Sequence, residues 1–238
     1  MKTQNSLMLL LIGTAVVVSA CESRDPLVER VARLEESGFS GQEIEDARIQ
    51  ELESEVSTYR DIVDEKVQAN GQLMIYYRML GIRYLDRQMY GPAMEALENA
   101  LEITPANAQL HSYYAVAAAQ TAKAKYDPAE QQSLFDIAEA AYSRALELNP
   151  NLSQALYGFA VLLVFELDRP DDALPHLDRL LERQRKHIDG RFVRAYAHAA
   201  LGNVQEAIAD YDAIIDLTPN TDVRREANQL RTQLMEGS

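Results

Sequence analysis

MIYYRMLGIRYLDRQMYGPAMEALENALEITPAN, residues 74–107, decides the fold. Tyr77, Leu80, Gly81 and Tyr84 recur at helical spacing, and Ala93, Leu97 and Ala100 do so again. Two antiparallel helices account for this pattern. Small residues at Gly81 and Ala93 let the axes approach closely, and Tyr77, Leu80 and Leu97 fill the space beside them. Pro105 cannot continue the second helix, so it ends one hairpin and opens the next.

The frame returns as Ala138, Tyr142, Ala145 and Pro150, then as Ala173, Leu177 and Leu180, then as Ala195, Ala207, Tyr211 and Pro219. Successive second-helix alanines, Ala93, Ala138, Ala173 and Ala207, lie 45, 35 and 34 residues apart. Units are therefore expected at 74–107, 108–153, 154–187 and 188–221. The eight positions of the first unit resemble the tetratricopeptide repeat, whose period is 34 residues. The predicted fold class is all-α: an α-solenoid of four tetratricopeptide-like hairpins over 72–238, with an amino-terminal helical stalk and a carboxy-terminal cap helix. The cap, at 222–236, carries one apolar stripe, Val223, Ala227, Leu230 and Leu234, as a terminal repeat requires.

Several positions depart from the pattern. Arg185 stands where the third unit would place its closing Pro. In the fourth unit, Arg191 and Arg194 occupy positions usually aromatic and apolar, and Ile214 replaces a small residue. These are expected to weaken individual units without disturbing the register. The second unit is longer by about three helical turns, so both of its helices are expected to extend with their buried faces aligned. Asp127-Pro128 with Glu130 marks the cap and first turn of its second helix. The extension is read either as a docking finger or as a longer hairpin packed on itself.

Residues 21–71 form the acidic stalk. Between 22 and 66 there are fourteen acidic and six basic side chains. Ser40 with Glu43 makes a capping box, and Asn70-Gly71 reads as a stop, which predicts one helix between them. Ile49, Leu52, Val56, Tyr59 and Val63, spaced 3-4-3-4, form a short coiled-coil seam, spoiled at its start by Gln42 and Glu45 and at its end by Lys66. Homo-oligomerisation through the stalk and packing of this helix on its own first repeat are both open.

Residues 1–20 read as a secretion signal: Lys2, an apolar run from Leu7 to Val18, then Ser19 and Ala20. Leu7–Ala20 is too short to span a bilayer comfortably. Val18-Ser19-Ala20-Cys21 resembles the bacterial lipobox, which makes Cys21, the only cysteine, the expected lipid anchor; an ordinary cleaved signal with an incidental Cys is the alternative. Several acyl chains, at about 0.8 kcal/mol per buried methylene, would hold the protein at a membrane. With one Cys there is no internal disulfide, so stability rests on helix packing. The lipoprotein resemblance, with Glu22 following the Cys, implies a bacterial envelope location at the outer membrane facing the periplasm.

Formal charge is -14, which opposes approach to a phosphate backbone, so no nucleic acid partner is expected. His111, His176, His187 and His198 are scattered without an adjacent acid and nucleophile, and no metal-ligand spacing or phosphate-cradling loop occurs. The chain is expected not to be an enzyme and to need no cofactor.

The repeat resemblance implies a concave wall built from the first helix of each unit. Carried over by position, the partner-binding groove comprises Ile75, Met79 and Ile82; Tyr113 and Val116; Tyr157, Val161 and Phe165; and Phe192 and Tyr196. Such a lining suits an amphipathic or extended apolar segment of another envelope protein. A lipophilic ligand, in a transporter-accessory role, is the alternative. The subgroup that clamps terminal carboxylates uses Lys and Asn in the groove. Here Arg78 is the one comparable cation, and Ile82 and Val116 stand where Asn is needed, so that mode is disfavoured.

Overall fold

The computed structural model describes residues 46–237. The chain divides into two units, Met1–Tyr59 and Arg60–Ser238. The described part of the first, residues 46–59, is wholly helical. The signal, Cys21 and the Ser40 capping box lie outside the described residues.

Nine helices and no strand occur among the described residues: α1 (Asp46–Asp86), α2 (Tyr90–Ile103), α3 (Ala108–Lys123), α4 (Pro128–Leu148), α5 (Ser153–Phe165), α6 (Pro170–Arg183), α7 (Ile188–Ala200), α8 (Val204–Leu217) and α9 (Thr221–Gly237). None of them is long and apolar enough to cross a membrane. From Met74 onward the helices pair as hairpins, α1 with α2, α3 with α4, α5 with α6 and α7 with α8, and α9 packs on α8.

The hairpins close where the sequence places small residues. A Cβ on Gly81 would lie 2.6 Å from Leu97 Cγ, so the α1–α2 contact has no room for one. Gly158 is pressed in the same way against the Tyr142 ring of the preceding hairpin, a contact between units. Ala93, Ala100, Ala138, Ala145, Ala173 and Ala207 are all fully buried. Second helices α2, α4 and α8 each end two residues before Pro105, Pro150 and Pro219. Where Arg185 replaces the proline, α6 still stops: Gln184 N–H closes onto the Leu180 carbonyl, and Gln184 Nε2 donates to Ser153 Oγ at 2.7 Å.

Local caps agree with the sequence. Asp127 accepts from Ala129 N–H at 2.7 Å and Glu130 N–H at 3.4 Å, with Pro128 in the first turn of α4. Asn107 caps α3 and Asn220 caps α9. The second hairpin is long in both arms, 16 and 21 residues against 13 and 14 in the third. Turns within hairpins use left-handed residues at Gln88, Asp168 and Gly202, only the last of which is glycine. Helix α9 buries Ala227 and rests Val223, Leu230 and Leu234 on Tyr211 and Ile214, as expected of a cap.

Two expectations are corrected. Asn70-Gly71 does not stop the stalk helix, because α1 runs through both to Asp86. One glycine inside a helix costs about 1 kcal/mol relative to Ala. The helix-favouring residues on either side, and the packing of Tyr77, Gly81 and Tyr84 against α2, outweigh that cost.

The second correction concerns Arg191 and Arg194, which are not lone departures in an apolar face but partners of a buried carboxylate on α8. Asp210 on α8 is 2% exposed, and Arg194 holds it with Nε and Nη2, both at 2.7 Å. Arg191 Nη1 adds a third bond at 3.1 Å, and its other nitrogens donate to the Arg185 carbonyl. Arg194 Nη1 also reaches Asp178 on α6 at 2.7 Å, so the cluster joins two hairpins. The carboxylates raise the Arg194 pKa further and hold the side chain charged.

Three stability measurements check this account. Gly71→Ala is expected to raise unfolding free energy by about 0.5–1 kcal/mol, since nothing lies within 4 Å of the added methyl. Asp210→Ala is expected to cost about 3 kcal/mol by leaving two guanidinium groups without their carboxylate, read as a shift in denaturant midpoint. His176 packs its ring at a tilt on Phe159, centroids 4.8 Å apart, and burial followed by the Arg179 charge lowers its pKa. The unfolded chain then binds the proton more readily. Stability should fall as pH drops from about 6.5 through the lowered folded value, and His176→Gln should flatten that slope.

Candidate partner-binding face

The first helices α3, α5 and α7 make a continuous layer, since α3 touches α5 and α5 touches α7 directly, besides each touching its own second helix. All ten groove positions lie on α1, α3, α5 or α7, and none is fully buried. Ile75 and Met79 are exposed at 41% and 52%, and Phe165 and Tyr196 at 49% and 51%. Ile82, Tyr113, Val116, Tyr157, Val161 and Phe192 are half-buried.

These residues divide by what they touch. Phe165 and Tyr196, from neighbouring hairpins, hold their rings 4.9 Å apart at 44°, so they form one aromatic step across the α5–α7 boundary. Tyr157 leans on the His187 ring at 5.2 Å, and burial followed by the nearby Asp189 charge raises its hydroxyl pKa, which keeps it a neutral donor. Val116, Tyr157 and Val161 rest partly on the central core, and Tyr113 on the first. Phe192 packs edge-on to buried Tyr211 at 6.2 Å, so much of its ring serves the fourth hairpin. The surface most open to a partner is therefore carried by Ile75, Met79, Phe165 and Tyr196.

Two polar contributors were not anticipated. Gln109 Nε2 donates to the Tyr113 hydroxyl at 3.2 Å, a contact its i,i+4 spacing could have revealed. His187 supports Tyr157 while its Nδ1 accepts from Gly190 N–H at 2.9 Å, capping α7. His111 Nε2 donates to the Pro105 carbonyl at 2.9 Å. With His176 on Phe159, three of the four histidines thus hold structural contacts. Concavities open at 182–187, at 121–134 and around Ile215 and Thr221–Asn228, lined mostly by polar and charged side chains and by none of the ten groove positions.

Comparison with known proteins places this architecture. Residues 160–221 match the tetratricopeptide repeat family model. A TPR repeat-containing protein of Borreliella burgdorferi is 23% identical over 167 residues, covering 67% of this chain and 73% of that protein. Two further relatives, the DnaJ homolog subfamily C member 7 homolog of Schizosaccharomyces pombe and serine/threonine-protein phosphatase 5 of Rattus norvegicus, are 31% and 34% identical. They match 44% and 33% of this chain and are covered over only 23% and 16% of their own lengths. Among solved structures, a thermophilic TPR protein of Thermus thermophilus, TTC0263, superposes with a TM-score of 0.58 at 18% identity, covering 70% of this chain and 85% of that one. YrrB, described as a TPR protein with an unusual peptide-binding site, superposes at 0.53 with 20% identity, covering 86% and 98%. The fold is an all-α stack of tetratricopeptide-type hairpins.

Proposed function

We propose that the chain is a protein–protein interaction scaffold that receives an amphipathic helix or extended apolar segment of a partner along the first-helix layer. The observation that carries this reading is the exposed aromatic step Phe165–Tyr196, with Ile75 and Met79 also exposed on α1. Each large side chain covered by a partner contributes about 1.5–3 kcal/mol, so a few suffice for a specific complex. The peptide-binding site ascribed to YrrB supports the use of such a stack in this way. A lipophile carrier would need walls around its ligand, whereas these side chains stand open to solvent.

The proposed setting is the bacterial cell envelope. Cys21, freed at the amino terminus by cleavage after Ala20 and acylated, tethers the scaffold to a membrane, with Glu22 favouring the outer one and its periplasmic face. Within that setting the stalk seam pairs with a second copy of the chain.

A photo-crosslinking amino acid at Phe165 or Tyr196, placed in intact cells, is expected to give one discrete adduct with an envelope protein. The same residue at Arg144, exposed on α4, should give none. The Phe165→Asp, Tyr196→Asp double variant should abolish the complex with less than about 1 kcal/mol change in stability, because both rings are half outside the fold. Equal labelling from Arg144, or an unchanged complex in the double variant, would discard the assignment. Cys21→Ser is expected to move the chain from the membrane to the soluble fraction.

A further inference from the structure

Large apolar side chains left open to solvent concentrate on α1. Ile49, Leu52, Val56, Val63, Val67 and Leu73 are between 38% and 64% exposed. They lie along one face of one helix, and a helix with such a stripe needs a partner to cover it. We infer that α1 pairs with α1 of a second copy as a parallel, in-register, two-stranded coiled coil over Ile49–Leu73. This rests on the self-association proposed above and specifies its geometry.

With Ile49 taken as a heptad a position, the a layers are Ile49, Val56, Val63 and Asn70, and the d layers are Leu52, Tyr59, Lys66 and Leu73. β-Branched residues at a with leucine at d favour two strands in parallel. A single Asn at a fixes register and strand number, because only pairing with its own counterpart satisfies the amide. Antiparallel pairing would set Asn70 against an apolar layer. Because α1 continues through Asn70-Gly71, this layer is available at all.

The flanking positions complement themselves. In a parallel pair each g position meets the following e position of the other helix. Glu55 then stands opposite the second copy's Arg60, and Ile62 opposite its Val67. Ile62 is itself 40% exposed, so the second of these contacts widens the apolar seam. One sequence carrying both halves of each contact is what a two-fold interface requires. Two chains tethered at Cys21 in one membrane would also leave it in the same direction, as parallel strands do. Lys66 is the poor layer, since its two ammonium groups must reach outward along their stems, so association should be moderate and concentration-dependent.

The test uses the chain with Cys21→Ser, which has no other cysteine, carrying Val56→Cys at an a position or Ser54→Cys at the outward f position. Light scattering is expected to give twice the mass of one chain at high micromolar concentration. Oxidation should crosslink Val56→Cys nearly completely and leave Ser54→Cys mostly single. Lys66→Leu should lower the dissociation constant about tenfold or more, and Asn70→Ile should admit species larger than a dimer. Dimer mass without Val56→Cys crosslinking would overturn the parallel register while leaving self-association intact. A trimer or tetramer in the unmodified seam would overturn the two-stranded geometry, and a monomer at every concentration would remove both. Loss of partner adducts at Tyr196 bears on the scaffold reading alone and leaves this result unaffected.

Discussion

Close approach of paired helices is the constraint on which the structure depends. Gly81 leaves Leu97 the space it fills, Gly158 does so for Tyr142, and fully buried alanines serve at the other contacts. A methyl group at Gly81 would sit inside the Leu97 side chain and force the axes apart, a distortion that costs about 1–3 kcal/mol. Without that approach the first helices would lose both their second helices and one another, and the row of exposed side chains on them would have no common face.

Among the described residues, Asp210 is the buried carboxylate in this packing. Arg191 and Arg194 stand where the repeat resemblance led us to expect aromatic and apolar residues; both pair with Asp210, and Arg194 carries the contact on to Asp178 of the third hairpin. Three charges with five hydrogen bonds among them and the Arg185 carbonyl are directional, whereas an apolar patch tolerates sliding. Through Arg194 and Asp178 the cluster also ties α7 to α6 of the third hairpin. Phe165 and Tyr196 meet across the same pair of hairpins, 4.9 Å apart.

Much of the fold was legible because the deciding residues act locally. Pro105, Pro150 and Pro219 end helices by their own geometry, Asp127-Pro128 begins one, and the small–large alternation around Gly81 and Ala93 announces a hairpin. What escaped reading depends on residues distant in sequence. Gln184 ends α6 by reaching Ser153, 31 residues away. Arg191 and Arg194 look like defects until Asp210 is placed beside them. Gly71 reads as a terminator only if the packing of the helix beyond it is ignored. The groove positions came from the repeat resemblance, carried over by place in each unit. Which of them remain open was not readable: Phe192 and Tyr196 are equally aromatic and four residues apart, yet Phe192 packs its ring on Tyr211 and is half-buried, while Tyr196 meets Phe165 and stays exposed.

The central core is shared unevenly along the stack. One continuous cluster runs from Ala115 on α3 through Phe135, Tyr142, Phe159 and Leu177 to Ala197 on α7, while the clusters at the two ends are small and separate. In a structure held mainly by neighbour-to-neighbour contacts, the middle is then the last region to open and the ends fray first. Amide protons in α4 and α5 should outlast those of α1 and α9 by a wide margin. Refolding from the denatured state would start at the long second hairpin and spread outward from it.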